Sequence, residues 1–66
     1  GAPMTVLELL ARAGGIGPDA EEKKIAIVRT EGGKTVSYRF NYKDVSKGKH
    51  LEQNIELKNG DTVIVP

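Results

Sequence analysis

The segment from Asn54 to Pro66 constrains the fold of this chain more than any other. Ile55 and Leu57 lead into Asn59-Gly60-Asp61, and the β-branched, apolar run Thr62-Val63-Ile64-Val65 follows. Asn and Gly tolerate positive φ, and an Asp side chain bonds nearby backbone amides, so the triplet specifies a tight turn. The run after it lacks the alternation of a half-buried strand and predicts a strand over 62–65 that is buried on both faces. Pro66 stops it, because proline has no N–H to give to a ladder. A small chain that ends in its most hydrophobic strand is expected to hold that strand inside the sheet.

The remaining elements arrange themselves around this strand. Thr5 stands three residues before Glu8, the spacing of a capping box in which each side chain serves the other residue's free amide. Val6, Leu9, Leu10 and Ala13 then recur at helical spacing, and Gly14-Gly15 supplies the left-handed stop, which predicts a helix over 5–13. Ile25-Ala26-Ile27-Val28 is a second unbroken apolar run, a strand over about 25–29, and Glu31-Gly32-Gly33-Lys34 reads as a hairpin turn. The next strand, about 35–42, alternates: Val36, Tyr38, Phe40 and Tyr42 share one face, while Ser37, Arg39, Asn41 and Lys43 share the other. Lys43 to Gln53 is a polar, basic connection with Val45 and Leu51 as its expected anchors. The order defines an α+β fold in which one helix covers a small sheet and the 62–65 strand lies beside 25–28, with the amphipathic strand outside them.

Sixty-six residues allow one domain, 1–66. A chain of this size buries only about 60 % of its unfolded surface, so it has little stability to spare. It has no cysteine, which removes disulfides and thiolate metal sites. Ten basic residues against nine acidic leave a charge of +1, which gives no electrostatic reason to expect nucleic acid. No apolar run approaches the roughly 20 residues of a membrane span. No serine has a base and an orienter beside it, and the single histidine, His50, has no second ligand, so neither a catalytic residue nor a metal or cofactor site is expected. Gly14-Gly15-Ile16-Gly17 follows a helix and does not lead into one, so it is a helix stop and not a phosphate loop. Asp19, Glu21 and Glu22 lack the spacing of a calcium loop.

The candidate contact residues are therefore surface ones. Tyr38, Phe40 and Tyr42 offer a stacking platform for sugar rings or for bases, against the plainer reading that they pack beneath the helix. Arg29, Arg39 and Asn41 are hydrogen-bonding groups near the hairpin, on what is expected to be a solvated sheet face. Lys43, Lys47, Lys49 and His50 form a basic cluster suited to an acidic polysaccharide or phosphate, diluted by Asp44 and Glu52.

Three stretches together resemble a known family. They are Met4 to Gly15, a short helix ending in Ala-Gly-Gly; Ile25 to Arg29, an apolar strand closing on arginine; and Asn54 to Pro66, with its Gly-Asp-Thr-Val-Ile-Val-Pro ending. The chain resembles the soluble-ligand-binding β-grasp (SLBB) domain of bacterial polysaccharide export proteins. The resemblance implies a β-grasp-like fold with a small mixed sheet. It implies a non-enzymatic module, periplasmic or outer-membrane-associated, that contributes to oligomer packing and weak carbohydrate contact in capsule or exopolysaccharide export. Arg39, Asn41, Lys43, Lys47, Lys49 and His50 are the candidate carbohydrate or partner contacts, and Thr62, Val63, Ile64 and Val65 a candidate partner edge. Family members normally carry a β-hairpin before the helix, and only Gly1 to Met4 precede it here. The chain is thus expected to be a fragment of a larger export protein, or to have its 62–65 edge covered by another domain or a second copy. Two other readings remain: a ubiquitin-like carrier or interaction module, disfavoured by an end in Val65-Pro66 without Gly-Gly, and a small nucleic-acid-binding sheet protein, disfavoured by the charge balance.

Overall fold

The computed structural model describes residues 3–66. The lead-in expected over Gly1 to Met4 therefore lies partly outside the described residues. Helix α1 spans Val6–Arg12, strand β1 Ile25–Glu31, strand β2 Lys34–Phe40, a short helix α2 Tyr42–Ser46, a 3-10 turn Leu51–Gln53 and strand β3 Thr62–Ile64.

Helix α1 begins and ends as its sequence dictates. Thr5 is the N-cap, its hydroxyl accepting from the Glu8 N–H at 3.3 Å. The box is only half closed, however: Glu8 turns outward to an ion pair with Arg12 at 3.2 Å, one helical turn on. Two further free amides of the first turn find partners in the distant chain. Val6 N–H donates to the Ile55 carbonyl (3.1 Å) and Leu7 N–H to Asn54 Oδ1 (2.9 Å). At the other end Gly15 N–H reaches the Leu10 carbonyl at 2.7 Å and Gly14 N–H the Ala11 carbonyl at 3.1 Å, with both glycines at positive φ. This is the Schellman arrangement that Gly14-Gly15 predicts.

Strands β1 and β2 form a hairpin closed by Gly32 (φ 56°) and Gly33 (φ 80°), the two positive values a type I′ turn requires. Strand β3 pairs with the other side of β1, Ile27 opposite Val63, so the order is β2-β1-β3 with both pairings antiparallel. The 62–65 run thus does lie beside 25–28, as predicted, and the amphipathic strand does lie outside. The expectation of a mixed sheet gives way to an antiparallel one, because each neighbour of β1 among the described residues returns against it.

The core is a single cluster of Val6, Leu10, Ile25, Ile27, Phe40 and Val45, with Tyr38, Tyr42, Ile55, Leu57 and Val63 packed around it. Both helices contribute to one face of the sheet only. The opposite face, carrying Ala26, Val28, Ser37, Arg39, Thr62 and Ile64, has no covering layer among the described residues. That decides the position of β3. The strand is at the sheet edge and not inside it, and it is not buried on both faces: Val63 reaches the core side, while Thr62, Ile64 and Val65 are exposed.

Two further expectations change. The amphipathic strand stops at Phe40, and Tyr42 opens α2, because Asn41 caps that helix by accepting from the Asp44 N–H at 3.1 Å. Of the two anchors expected in the connection, Val45 is buried at 2 % exposure but Leu51 lies out at 59 %, on a turn that faces away from the core. Phe40→Ala should accordingly cost about 3–5 kcal/mol, enough to unfold a large fraction of so small a domain. Leu51→Ala should change stability by about 0.5 kcal/mol or less. Chemical denaturation of the two variants checks both.

Candidate functional site

One polar assembly sits in the core side of the sheet; Arg29, Tyr38 and Asp61 each stand out in the sequence, but their joining into one group does not. Ile25, Ile27 and Arg29 alternate onto the same face of β1, so Arg29 points inward and is only 8 % exposed. The reading of Arg29 as a solvated surface group is therefore overturned. Its guanidinium meets Asp61 in a fork, Nε to Oδ1 at 2.9 Å and Nη2 to Oδ2 at 2.8 Å. Nη2 also donates to the Glu56 carbonyl at 3.0 Å, and Nη1 lies 3.6 Å from Glu31 Oε1. The Tyr38 ring lies under the guanidinium at 5.1 Å, and its hydroxyl donates to Glu31 at 2.8 Å. Asp61 Oδ2 accepts a further bond from the Lys58 N–H at 2.9 Å, which closes the turn ahead of β3.

The electrostatics follow from these bonds. Hydrogen bonds from Arg29 and from the Lys58 amide outweigh burial and hold the Asp61 carboxyl down to about 2. The same contact with Asp61 raises Arg29 above its ordinary value, so both partners are charged at any ordinary pH. The bond to Glu31, aided by burial, pushes the Tyr38 phenol up. Among the described residues no buried side-chain nitrogen or oxygen is left without a hydrogen-bond partner. The Arg29–Asp61 fork links the arginine that ends the first apolar strand to the Gly-Asp turn before the last one. The link joins two of the three stretches that carry the family resemblance.

The predicted contact residues do not converge on one site. Arg39 projects from the uncovered face of the sheet, opposite Ala26, whereas α2 packs on the core side through Val45. Asn41 is half-buried and occupied: its side chain caps α2 and its N–H donates to Gln53 Oε1 at 2.7 Å. Lys43, Lys47 and Lys49 are exposed, with Lys43 and Lys47 one turn apart. His50 sits at φ 50°, ψ 46°, a left-handed conformation unusual outside glycine, with Nδ1 2.9 Å from Asp44 Oδ2. The basic cluster is thus a shaped loop, held by Asn41, Asp44 and Gln53. The aromatic platform is not present: Phe40 is fully buried, and Tyr38 and Tyr42 are half-buried against the core.

Among the described residues, no strand pairs with the outer side of β3. A two-residue hairpin loop is closed by a hydrogen-bonded pair, here Glu31 with Lys34, and alternate residues of β1 then turn their backbone groups toward β3. Those residues are Ala26 and Val28, so Ile64 and Thr62 bond inward and Val63 presents its N–H and C=O outward. Ile64 (46 %) and Val65 (40 %) are exposed beside them. A depression of about 300 Å³ lined by Ala20 to Lys24 adjoins the end of this edge, where Glu21 N–H donates to the Pro66 carbonyl at 2.8 Å. Among the described residues, no group of three His, Asp or Glu side chains is placed to hold a metal, and no helix is long and apolar enough to cross a membrane.

A helix on one face of a small antiparallel sheet defines a small α+β domain. A family model for the SLBB domain matches residues 1–65, and the chain belongs to that family. The family is a binding domain associated with polysaccharide export proteins and not a known catalytic one. No curated protein and no solved structure matches the chain.

A carboxyl held below its unfolded value stabilises the fold above that unfolded value, and the gain is lost as pH falls through the folded one. Asp61 should therefore contribute a constant stability above about pH 4 and lose it between about pH 4 and 2. Denaturation midpoints measured across this window should fall steeply for the wild type and more shallowly for Asp61→Asn.

Proposed function

We propose that this domain is a non-enzymatic binding and assembly module within a larger polysaccharide export protein, acting in the periplasm or at the outer membrane on capsule or exopolysaccharide. The match of an SLBB family model to residues 1–65 carries this reading. Two surfaces divide the work. The β3 edge, through the outward backbone of Val63 and the exposed Ile64 and Val65, offers a pairing surface to another domain of the parent protein or to a second copy.

The loop carrying Lys43, Lys47, Lys49 and His50 supplies weak contact to acidic sugar, and Arg39 supplies a separate cation on the uncovered sheet face. Exposed lysines in water bind single anionic groups loosely, so the contact is suited to a polymer that must move on and not to a retained ligand. Asn41 acts by holding the loop in shape, since its hydrogen-bonding groups are already used.

Titrating the domain with an oligosaccharide of uronic acids while following amide shifts tests the loop. Lys43, Lys47, Lys49 and His50 should move at millimolar sugar, the effect should shrink with added salt, and a Lys43→Ala, Lys47→Ala, Lys49→Ala variant should lose it. Unmoved loop resonances at those concentrations would remove carbohydrate contact from the proposal.

A further inference from the structure

The turn that leads into β3 contains the one Asn-Gly pair of the chain, Asn59-Gly60, and both residues are exposed. Glycine leaves its backbone nitrogen unhindered, and this nitrogen is the nucleophile in deamidation of a preceding asparagine. The Gly60 nitrogen, having given up its proton, attacks Asn59 Cγ. A new C–N bond closes a succinimide ring while the side-chain nitrogen leaves as ammonia. Water then opens the ring at either carbonyl, giving aspartate or isoaspartate. The sum is amide plus water to acid plus ammonia, with no oxidant or catalyst required.

The turn as folded opposes this reaction. It is closed by the Asp61 N–H on the Lys58 carbonyl at 3.0 Å, with Gly60 at φ 89° and Asn59 outside the positive-φ region. Those signs of φ are those of a type II turn, whose first central residue holds ψ near +120°. In an L-residue the planar ring needs a ψ of the opposite sign, so the folded turn holds the Gly60 nitrogen away from the Asn59 side chain. Reaching the reactive geometry means rotating the peptide between them and breaking the Asp61–Lys58 bond. Asp61 cannot move freely, because its carboxylate also holds the Lys58 amide and the Arg29 fork.

We propose that Asn59-Gly60 is a modification site gated by the Arg29–Asp61 pair, and that its conversion to isoaspartate releases β3 irreversibly. Isoaspartate lengthens the backbone by one methylene between Lys58 and Asp61 and places a second carboxylate beside Asp61. The turn then no longer sets Asp61 on Arg29, and a strand of three residues has little else to hold it. Each opening of the turn is thus a chance of permanent loss of the β3 edge. The consequence for assembly rests on the proposed role of that edge; the chemistry and the release do not.

The test is to incubate the folded protein, the protein in urea, and Asp61→Ala at mildly alkaline pH, and to follow Asn59 by mass spectrometry of its proteolytic fragment. Conversion should be at least several-fold slower in the folded wild type than in urea, with Asp61→Ala faster than wild type. The isoaspartate product, separated from the aspartate product by reversed-phase chromatography, should lack the cross-strand contacts of Val28 with Thr62 and Ala26 with Ile64. Equal rates for folded wild type and urea, or for folded wild type and folded Asp61→Ala, would remove the gate, and no conversion in urea would remove the site. Retained contacts in the isoaspartate product would remove the release. The comparison in urea stands even if Asp61→Ala does not fold, and the binding of acidic sugar by the Lys43–His50 loop is read separately.

Discussion

The bidentate contact between Arg29 and Asp61 is the interaction on which the placement of the last strand, and with it the sheet's free edge, depends. Strand β3 is short, lies at an edge, and has a covering layer on one side only. Three residues of pairing on β1 are a weak hold by themselves, since isolated short strands are marginal in water. The guanidinium supplies what the short ladder lacks. It gathers the Glu56 carbonyl and the Asp61 carboxylate from one end of the chain onto the middle strand, with Tyr38 and Glu31 filling its other sides. Arginine suits this position because its planar fork matches a carboxylate at two points, where lysine would offer a single charge.

A buried ion pair carries a desolvation cost, and its value lies as much in what it specifies as in stability. Here it specifies register. With Asp61 on Arg29, Thr62 falls opposite Val28 and Ile64 opposite Ala26. A slip of one residue would turn Val63 outward and bring Thr62 and Ile64 to the core. The apolar run from Thr62 to Val65 cannot fix this by itself, because Val and Ile on both faces make the two registers similar in burial. The pair therefore resolves an ambiguity that hydrophobicity leaves open. It also sets which backbone groups the edge presents.

Much of this was legible from residue patterns, and the failures share a cause. The helix, its Gly-Gly stop, the hairpin and the adjacency of the two apolar strands all follow from local spacing, and Gly32, Gly33, Gly14 and Gly15 behave as their chemistry requires. What local spacing could not give was which side of each strand has a layer over it. The 62–65 run reads as doubly buried because nothing in it states that one face is open. Arg29 reads as a surface group for the same reason, although its alternation with Ile25 and Ile27 and the distant Asp61 were both in view. Helix α2 was masked by the continued alternation of Tyr38, Phe40 and Tyr42; the signal against it was Asn41 three residues before Asp44, a helix-start spacing. The candidate loop reads as a cluster of charge, but its shape does not, since the left-handed turn at His50 and its contact back to Asp44 have no glycine or capping spacing to announce them.

Hydrogen exchange of individual amides in Asp61→Asn tests the central role of the ion pair most directly. The pair's loss should expose the Thr62 and Ile64 amides, and those of Ala26 and Val28 that face them, by at least an order of magnitude in exchange rate. The Val36, Tyr38 and Phe40 amides, which bond across the hairpin, should keep most of their protection. Uniform loss across both halves of the sheet, or no loss at β3, would contradict the account in which Arg29 and Asp61 hold the last strand in place.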